Sequence, residues 1–280
     1  LIIGANLPDI DAAMMFVGSD AALGARRGWT HGVLALAVLP WLLAAALVLF
    51  DRLVRRRRDT TLKPVQFGPV LGLAYLSVLT HPCLDWLNTY GIRLLMPFDG
   101  RWFYGDAIFI VDPWIWLLAG SAVVLAHTRS LSSIAAWVVP GTLLTLLVTG
   151  VNLVPVPAKV VWCGGVSLIV GVRVWGGLQH RIARVAALTL ASVVLYAGLM
   201  VTVSHLTRWR VERWLAAGAV VPQQIMTGPV LANPFVRDVI VLDADHYHFL
   251  EVNWLATERI RVSDESIPRE GRGPIVEAAL

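Results

Sequence analysis

Charge is scarce in this chain. Of 280 residues only 15% are charged, 57% are hydrophobic, and the mean hydropathy is +0.68. Soluble domains carry about 25% charged residues. One buried core cannot absorb this much apolar surface, so the composition reads as an integral membrane protein. Cysteine is nearly absent: Cys83 and Cys163 stand in different apolar segments without C-x-x-C spacing, which excludes a disulfide framework. The sequence contains neither an internal repeat nor a low-complexity tract. It opens at Leu1 without an initiator methionine, and Leu1-Ile2-Ile3-Gly4-Ala5 reads as the tail of an apolar helix already under way. The true N-terminus is therefore expected upstream.

The net charge of +4 and a pI near 9.4 admit nucleic acid as a partner on charge alone. The basic residues collect beside apolar stretches, however, as membrane topology requires. Membrane lipids, and no nucleic acid, are the expected surroundings; oligomeric state is not legible. Six stretches have a spanning length: Val33–Phe50, Phe67–Leu84, Ala107–Ala126, Ile134–Val151, Val160–Trp175 and Ala183–Val203. The loop after the first holds Arg52, Arg55, Arg56, Arg57, Arg58 and Lys63, and later loops on that face hold Arg129, Arg173, Arg181 and Arg184. His127 and His180 extend the same signal. The opposite face has only Arg26, Arg27, Arg93, Arg101 and Lys159. Positive-inside bias thus puts the Arg55–Arg58 loop in the cytoplasm of a multi-pass inner (plasma) membrane protein. That tetra-arginine run is alternatively a contact for anionic lipid head groups.

With this orientation, Asp9, Asp11 and His31 precede the first span on the outer, periplasmic face. His81 and Asp85 fall at the outer end of the second, and Asp106 and Asp112 open the third. Ionisable side chains beside apolar spans are costly unless paired, so their convergence at one level predicts a site. His81 and Asp85, four apart, share a helix face, although Pro82 between them predicts a kink; a hydrogen-bonded turn is the bland alternative. In Leu7-Pro8-Asp9-Ile10-Asp11 the carboxylates are either an N-cap and first-turn acid or metal ligands. His31, in Trp29-Thr30-His31-Gly32, is a ligand or an interfacial residue. Jointly, oxygen and nitrogen donors without thiolate suit Zn²⁺, with Mn²⁺ or Fe as alternatives. Trp29, Trp86, Trp102, Trp114 and Trp116 read as an interfacial aromatic belt.

After Val203 the character changes. His205–Ala217, with Trp209, Arg210, Arg213 and Trp214, reads as an interfacial helix. Arg237–Asp243 and Tyr247–Val252 read as strands around a turn at Asp243-Ala244-Asp245, with Arg259–Val262 a third. His246 and His248 share a strand face, as a hairpin edge or a second metal site. The expected fold is an all-α polytopic membrane helical bundle, residues 1–205, carrying the site. Residues 206–280 form an outer-face interfacial helix and a small β-containing extramembrane domain.

The motifs, taken in order, resemble a known family. Leu7-Pro8-Asp9-Ile10-Asp11, Arg27-Gly28-Trp29-Thr30-His31-Gly32 and Thr80-His81-Pro82-Cys83-Leu84-Asp85 are followed by Thr89-Tyr90-Gly91 and Leu95-Met96-Pro97. They resemble the YdjM-like inner-membrane proteins, described as membrane-bound metal-dependent hydrolases and distantly similar to the zinc phospholipase C and P1-type nuclease group. The resemblance implies Asp9, Asp11, His31, His81 and Asp85 as ligands. Members tend to carry a further histidine near the start, and none precedes His31 here. The expected activity is hydrolysis of a phosphoester of a lipid or lipid-linked substrate. Asp9 or Asp11 would accept the proton of water, and Arg27 would steady an anionic group. The alternatives are a non-catalytic protein with a structural metal site, and a transporter.

Overall fold

The computed structural model describes residues 1–18, 24–127, 130–175 and 182–269. Arg129, His180 and Arg181 of the orientation argument lie outside the described residues. The protein is mostly helical, with a C-terminal antiparallel sheet, and divides into two compact units: one built on Leu1–Gly105, the other Asp106–Arg269. Among the described residues five helices are long and apolar enough to cross a membrane, as a multi-pass protein requires.

The first unit holds α1 (Ile2–Asn6), a 3₁₀ segment (Pro8–Phe16), α2 (Val33–Phe50) and α3 (Phe67–Leu87). Leu36, Leu43 and Ala44 of α2 bury against Ala74 and Val78 of α3. The other faces of both helices stay apolar and exposed, including Val38, Trp41, Leu42, Leu73 and Leu76, which is the signature of a lipid-facing surface. Gly32 caps α2, and a Cβ there would lie 2.4 Å from the Met96 carbonyl oxygen. That close approach lets Val33 donate its N–H to Leu94 O at 2.8 Å. Helix α3 runs through Pro82 to Leu87. The following loop folds back on its end, with Ile92 and Phe103 paired and Gly105 N donating to Trp86 O at 2.7 Å.

The second unit holds α4 (Pro113–His127), α5 (Leu131–Gly150), α6 (Val156–Val174), α7 (Ile182–Ala217) and strands β1 (Gln224–Val230), β2 (Asn233–Leu242), β3 (His246–Asn253) and β4 (Ile260–Pro268). Two expectations need correction here. The third span was expected from Ala107, but the helix starts at Pro113 and is 15 residues long. Proline disfavours helix in the residue before it, and Asp112 acts as the N-cap, accepting from Trp114 N and Ile115 N at 2.9 and 3.2 Å. Nor is His205–Ala217 a separate interfacial helix. It is the last third of the 36-residue α7, about 54 Å long at 1.5 Å per residue and so longer than a bilayer core. Its end buries Val211 and Leu215 against Ile225, Val239, Val241, Leu250 and Val252 of the sheet.

The sheet is a β1-β2-β3-β4 meander. The Asp243–Asp245 turn forms as expected: Asp243 Oδ1 accepts from Asp245 N and His246 N at 2.9 and 2.7 Å. His248 Nε2 meets Asp243 Oδ2 at 2.6 Å, which occupies that imidazole as a hairpin-edge contact. On β2, Arg237 is 1% exposed and donates to the carbonyls of Asp106, Ala107 and Met200 at 3.0, 2.8 and 3.2 Å.

Burial raises the Asp106 carboxyl to about 6, against the lowering by Thr227 N–H, Arg208 and Arg237. A raised folded pKa stabilises below the unfolded value of 3.8 and loses that contribution as pH rises through about 6. Stability is therefore expected to fall between these pH values. Asp106 has φ 47°, a conformation asparagine tolerates. Asp106→Asn is expected to flatten this dependence and raise the thermal midpoint at pH 7.5 by a few degrees, read by thermal melts across pH.

Candidate metal centre

Three short segments of the first unit bring the predicted side chains together. The 3₁₀ segment presents Asp9 and Asp11. The turn before α2 presents His31, and the last turns of α3 present His81 and Asp85. His31 is fully buried and Asp85 is 8% exposed, whereas the Asp9 side chain is 55% exposed. The two imidazole rings are tilted, with centroids 5.2 Å apart.

Each imidazole has one nitrogen tied back to the protein and the other turned inward. His81 Nδ1 lies 2.6 Å from the Ala5 carbonyl oxygen, which can only accept, so the ring proton belongs on Nδ1. His31 Nδ1 is 3.0 Å from Thr30 Oγ1 and 3.4 Å from Asp11 Oδ2. Thr30 donates its own hydroxyl proton to Asp11 Oδ2 at 3.1 Å, leaving its lone pairs for the ring N–H. Both Nε2 atoms therefore carry lone pairs into the same space. Asp9 Oδ1 is 3.3 Å from His81 Nε2 and 3.9 Å from His31 Nε2. Asp85 Oδ2 is 3.3 Å from His31 Nε2 and 3.5 Å from His81 Nε2.

His31 Nε2, His81 Nε2 and Asp85 Oδ2 are buried and make no hydrogen bond. Acceptors facing acceptors repel unless a cation or protons lie between them. Bonds of about 2.0–2.1 Å to a tetrahedral ion put neighbouring donors roughly 3.3 Å apart, close to three of the four separations found here. Asp9, His31 and His81 offer ligand atoms all within 4.8 Å of one another. These three donors fit a divalent cation, and Asp85 Oδ2 adjoins the two imidazoles.

Asp11 plays a different part. Its Oδ2 lies on the Nδ1 side of His31 and accepts Arg27 N at 2.8 Å. This carboxylate–imidazole pairing orients the ring for a ligand. Burial alone would depress the His31 imidazole, but the carboxylates of Asp11 and Asp85 on its two sides outweigh it and hold the pKa above its ordinary value. Arg27 is likewise occupied: its guanidinium meets Asp85 Oδ1 at 3.1 Å and Asn88 Oδ1 at 3.4 Å, and lies 4.8 Å from the Tyr90 ring centre. It fixes the second oxygen of Asp85 and is 9% exposed. With φ 52°, Arg27 has a conformation few L-residues adopt; its N–H bond to Asp11 and its carbonyl bond from Arg93 N at 3.0 Å hold it there. Asp106 and Asp112, expected at the same level, belong to the second unit. There Asp112 caps α4 and accepts from Tyr196 Oη at 2.9 Å.

The YdjM inner membrane protein family matches residues 1–156, over half of the chain and all of the residues of the candidate centre. The chain belongs to that family. A second similarity is to the uncharacterized protein YfhP of Bacillus subtilis (strain 168), 25% identical over 122 residues. That match covers 44% of this chain and 34% of YfhP, so the chain spans about a third of the relative's length. No solved structure matches. This YdjM-family protein is accordingly a multi-pass inner-membrane protein with a candidate metal centre at Asp9, His31 and His81.

Residues that sequence reasoning passed over hold the centre in shape. Ala5 O fixes His81, and α1 can place it there because Gly4 lies against α3. A Cβ on Gly4 would stand 2.0 Å from Ser77 Oγ. Gly4→Val is expected to push α1 off α3 and free the His81 ring. Loss of such an outer contact costs about 10–100-fold in metal affinity, measurable by competition with a chromogenic chelator. Asn88, which holds Arg27 and accepts Tyr90 N at 2.7 Å, was also missed. A polar residue directly after an apolar run was the available signal.

Proposed function

We propose that this protein is a membrane-embedded metal-dependent hydrolase that cleaves a phosphoester of a lipid or lipid-linked substrate. The observation that carries the reading is the set of three buried, unpartnered donor atoms, His31 Nε2, His81 Nε2 and Asp85 Oδ2, with the exposed Asp9 beside them. Asp9, His31 and His81, with Asp85, would hold a divalent ion, and zinc suits two imidazoles and carboxylates best. Such an ion supplies Lewis acidity, activating water near neutral pH and polarising a phosphoryl oxygen.

The protein's own groups divide the remaining work. His31 and His81 are locked as Nδ1–H tautomers by Asp11 with Thr30 and by Ala5 O. Arg27 holds Asp85 through one oxygen, leaving the other inward. Asp9 is the exposed member of the set, and its carboxylate is placed to accept a proton from attacking water. The half-exposed Asp9 leaves one side of the donor set accessible to water, which an open, catalytic site requires. The basic Arg55–Arg58 end of the first span supports an orientation with Asp9 and the two imidazoles on the periplasmic side.

The test is phosphate release from lipid phosphoesters and from a soluble aryl phosphate, by full-length protein in detergent loaded with Zn²⁺ or Mn²⁺. Turnover is expected with a lipid substrate, and Asp9→Asn is expected to reduce it by about 100-fold or more. Bound metal with no turnover on either substrate class would instead establish the structural role.

A further inference from the structure

We infer that the basic end of α2 is a binding site for the head groups of anionic phospholipids, formed by Arg52, Arg56, Arg57 and Arg58. The inference uses no part of the proposed hydrolase. Helix α2 does not stop at Phe50. It continues through a π turn, Asp51–Arg55, into Arg56–Arg58, 26 residues from Val33. At 1.5 Å per residue this is about 39 Å, against a hydrocarbon core of about 30 Å. A helix beginning at one edge of the core delivers these arginines to the head-group layer at the other.

The acids of this region are committed elsewhere. Asp51, 2% exposed, pairs with Arg55 and accepts Val65 N at 3.0 Å. Arg55 also donates to Lys63 O at 2.6 Å, tying the returning chain to the helix. Asp59 accepts Thr61 N and Thr61 Oγ1 at 2.9 and 2.6 Å. Arg52, Arg56, Arg57 and Arg58 are all exposed, and among the described residues none forms an ion pair. Arg56, Arg57 and Arg58 fan around the helix end about 100° apart, and Arg52 stands one turn behind Arg56.

Topology alone asks only for positive charge somewhere in the loop. Here the charge is fixed on a helix end whose neighbouring carboxylates have been withdrawn. Guanidinium forks match phosphate oxygens in pairs, and clusters of this size beside a span attract anionic lipid. Leu49, Phe50 and Leu53, 55%, 56% and 46% exposed, adjoin the arginines on the same helix. That surface accommodates acyl chains, which selects a lipid over free phosphate.

The experiment is native mass spectrometry of the full chain in neutral detergent at low salt. Phosphatidylglycerol and phosphatidylcholine are supplied together, with and without millimolar inorganic phosphate. Wild type is expected to retain phosphatidylglycerol about ten-fold over phosphatidylcholine, and phosphate is expected not to displace it. R52Q/R56Q/R57Q/R58Q is expected to lose the preference. Should that variant fail to insert, wild type in 1 M NaCl provides the second arm, where screening to about 3 Å abolishes the preference. Equal retention of the two lipids by wild type, a preference surviving in the variant or in high salt, or displacement by phosphate would each overturn the assignment.

Discussion

Alanine at His81 is expected to strip bound metal from the protein while leaving its helices intact. His81 Nε2 stands 3.3 and 3.5 Å from Asp9 Oδ1 and Asp85 Oδ2, so its removal takes one of two nitrogen donors from the centre. Losing an outer-shell partner costs about 10–100-fold in affinity, and a direct donor contributes more, so a loss of roughly a thousand-fold or greater is expected. His31→Ala is expected to match it. Asp11→Asn should fall in the smaller range, because Asp11 touches His31 on the Nδ1 side and supports the ring without facing the cluster. Metal content after dialysis against a weak chelator ranks the three variants. Equal retention by His81→Ala and wild type would remove His81 from the centre.

The second large effect is on stability and lies in the other unit. Arg237→Leu is expected to destabilise the protein by about 3–5 kcal/mol, the range found when one partner of a buried charged network is deleted. The guanidinium is 1% exposed and serves three backbone carbonyls, on residues 106, 107 and 200. Leucine leaves all three without that donor, and each unsatisfied buried acceptor costs about 1–3 kcal/mol. Burial draws the Arg237 pKa down to about 10, opposed by Tyr196, Asp106 and Asp112. The side chain thus remains charged at neutral pH and offsets the carboxylates near it. A fall in thermal midpoint of roughly 10 °C is expected. Retention of the metal expected at His31 and His81, in the first unit, serves as the control for global unfolding. A midpoint within a degree of wild type would show that Arg237 carries no such load.

The membrane architecture was legible because it rests on long apolar runs, which lipid demands and soluble cores rarely supply. The spans read at Val33–Phe50 and Phe67–Leu84, which lie within the helices Val33–Arg58 and Phe67–Leu87, needed only that signal. Boundaries failed where local chemistry overrode apolar content. Asp112-Pro113 starts a helix inside a run that hydropathy extends back to Ala107, and α7 carries its charged end onward because that end packs on the sheet. Strand β1 was missed because Gly228 and Pro229 interrupt it and both residues are uncommon within strands.

For the site, donor identity was readable and donor role was not. His81 and Asp85 are adjacent by helix periodicity alone, and their meeting with Asp9 and His31 followed from membrane level. The two sides of the His31 ring, one toward Asp11 and Thr30 and one toward Asp85, depend on how three segments dock. No spacing rule contains that information. The same is true of Arg27, whose charge is spent on Asp85.

X-ray absorption spectroscopy at the edge of the bound metal, on full-length protein purified without chelator, is the most direct test of the metal centre. The account predicts a first shell of nitrogen and oxygen only, with multiple scattering from two imidazoles that drops to one in His31→Ala or His81→Ala. Sulfur in the first shell, or an absence of imidazole scattering from a stoichiometrically loaded protein, would contradict it.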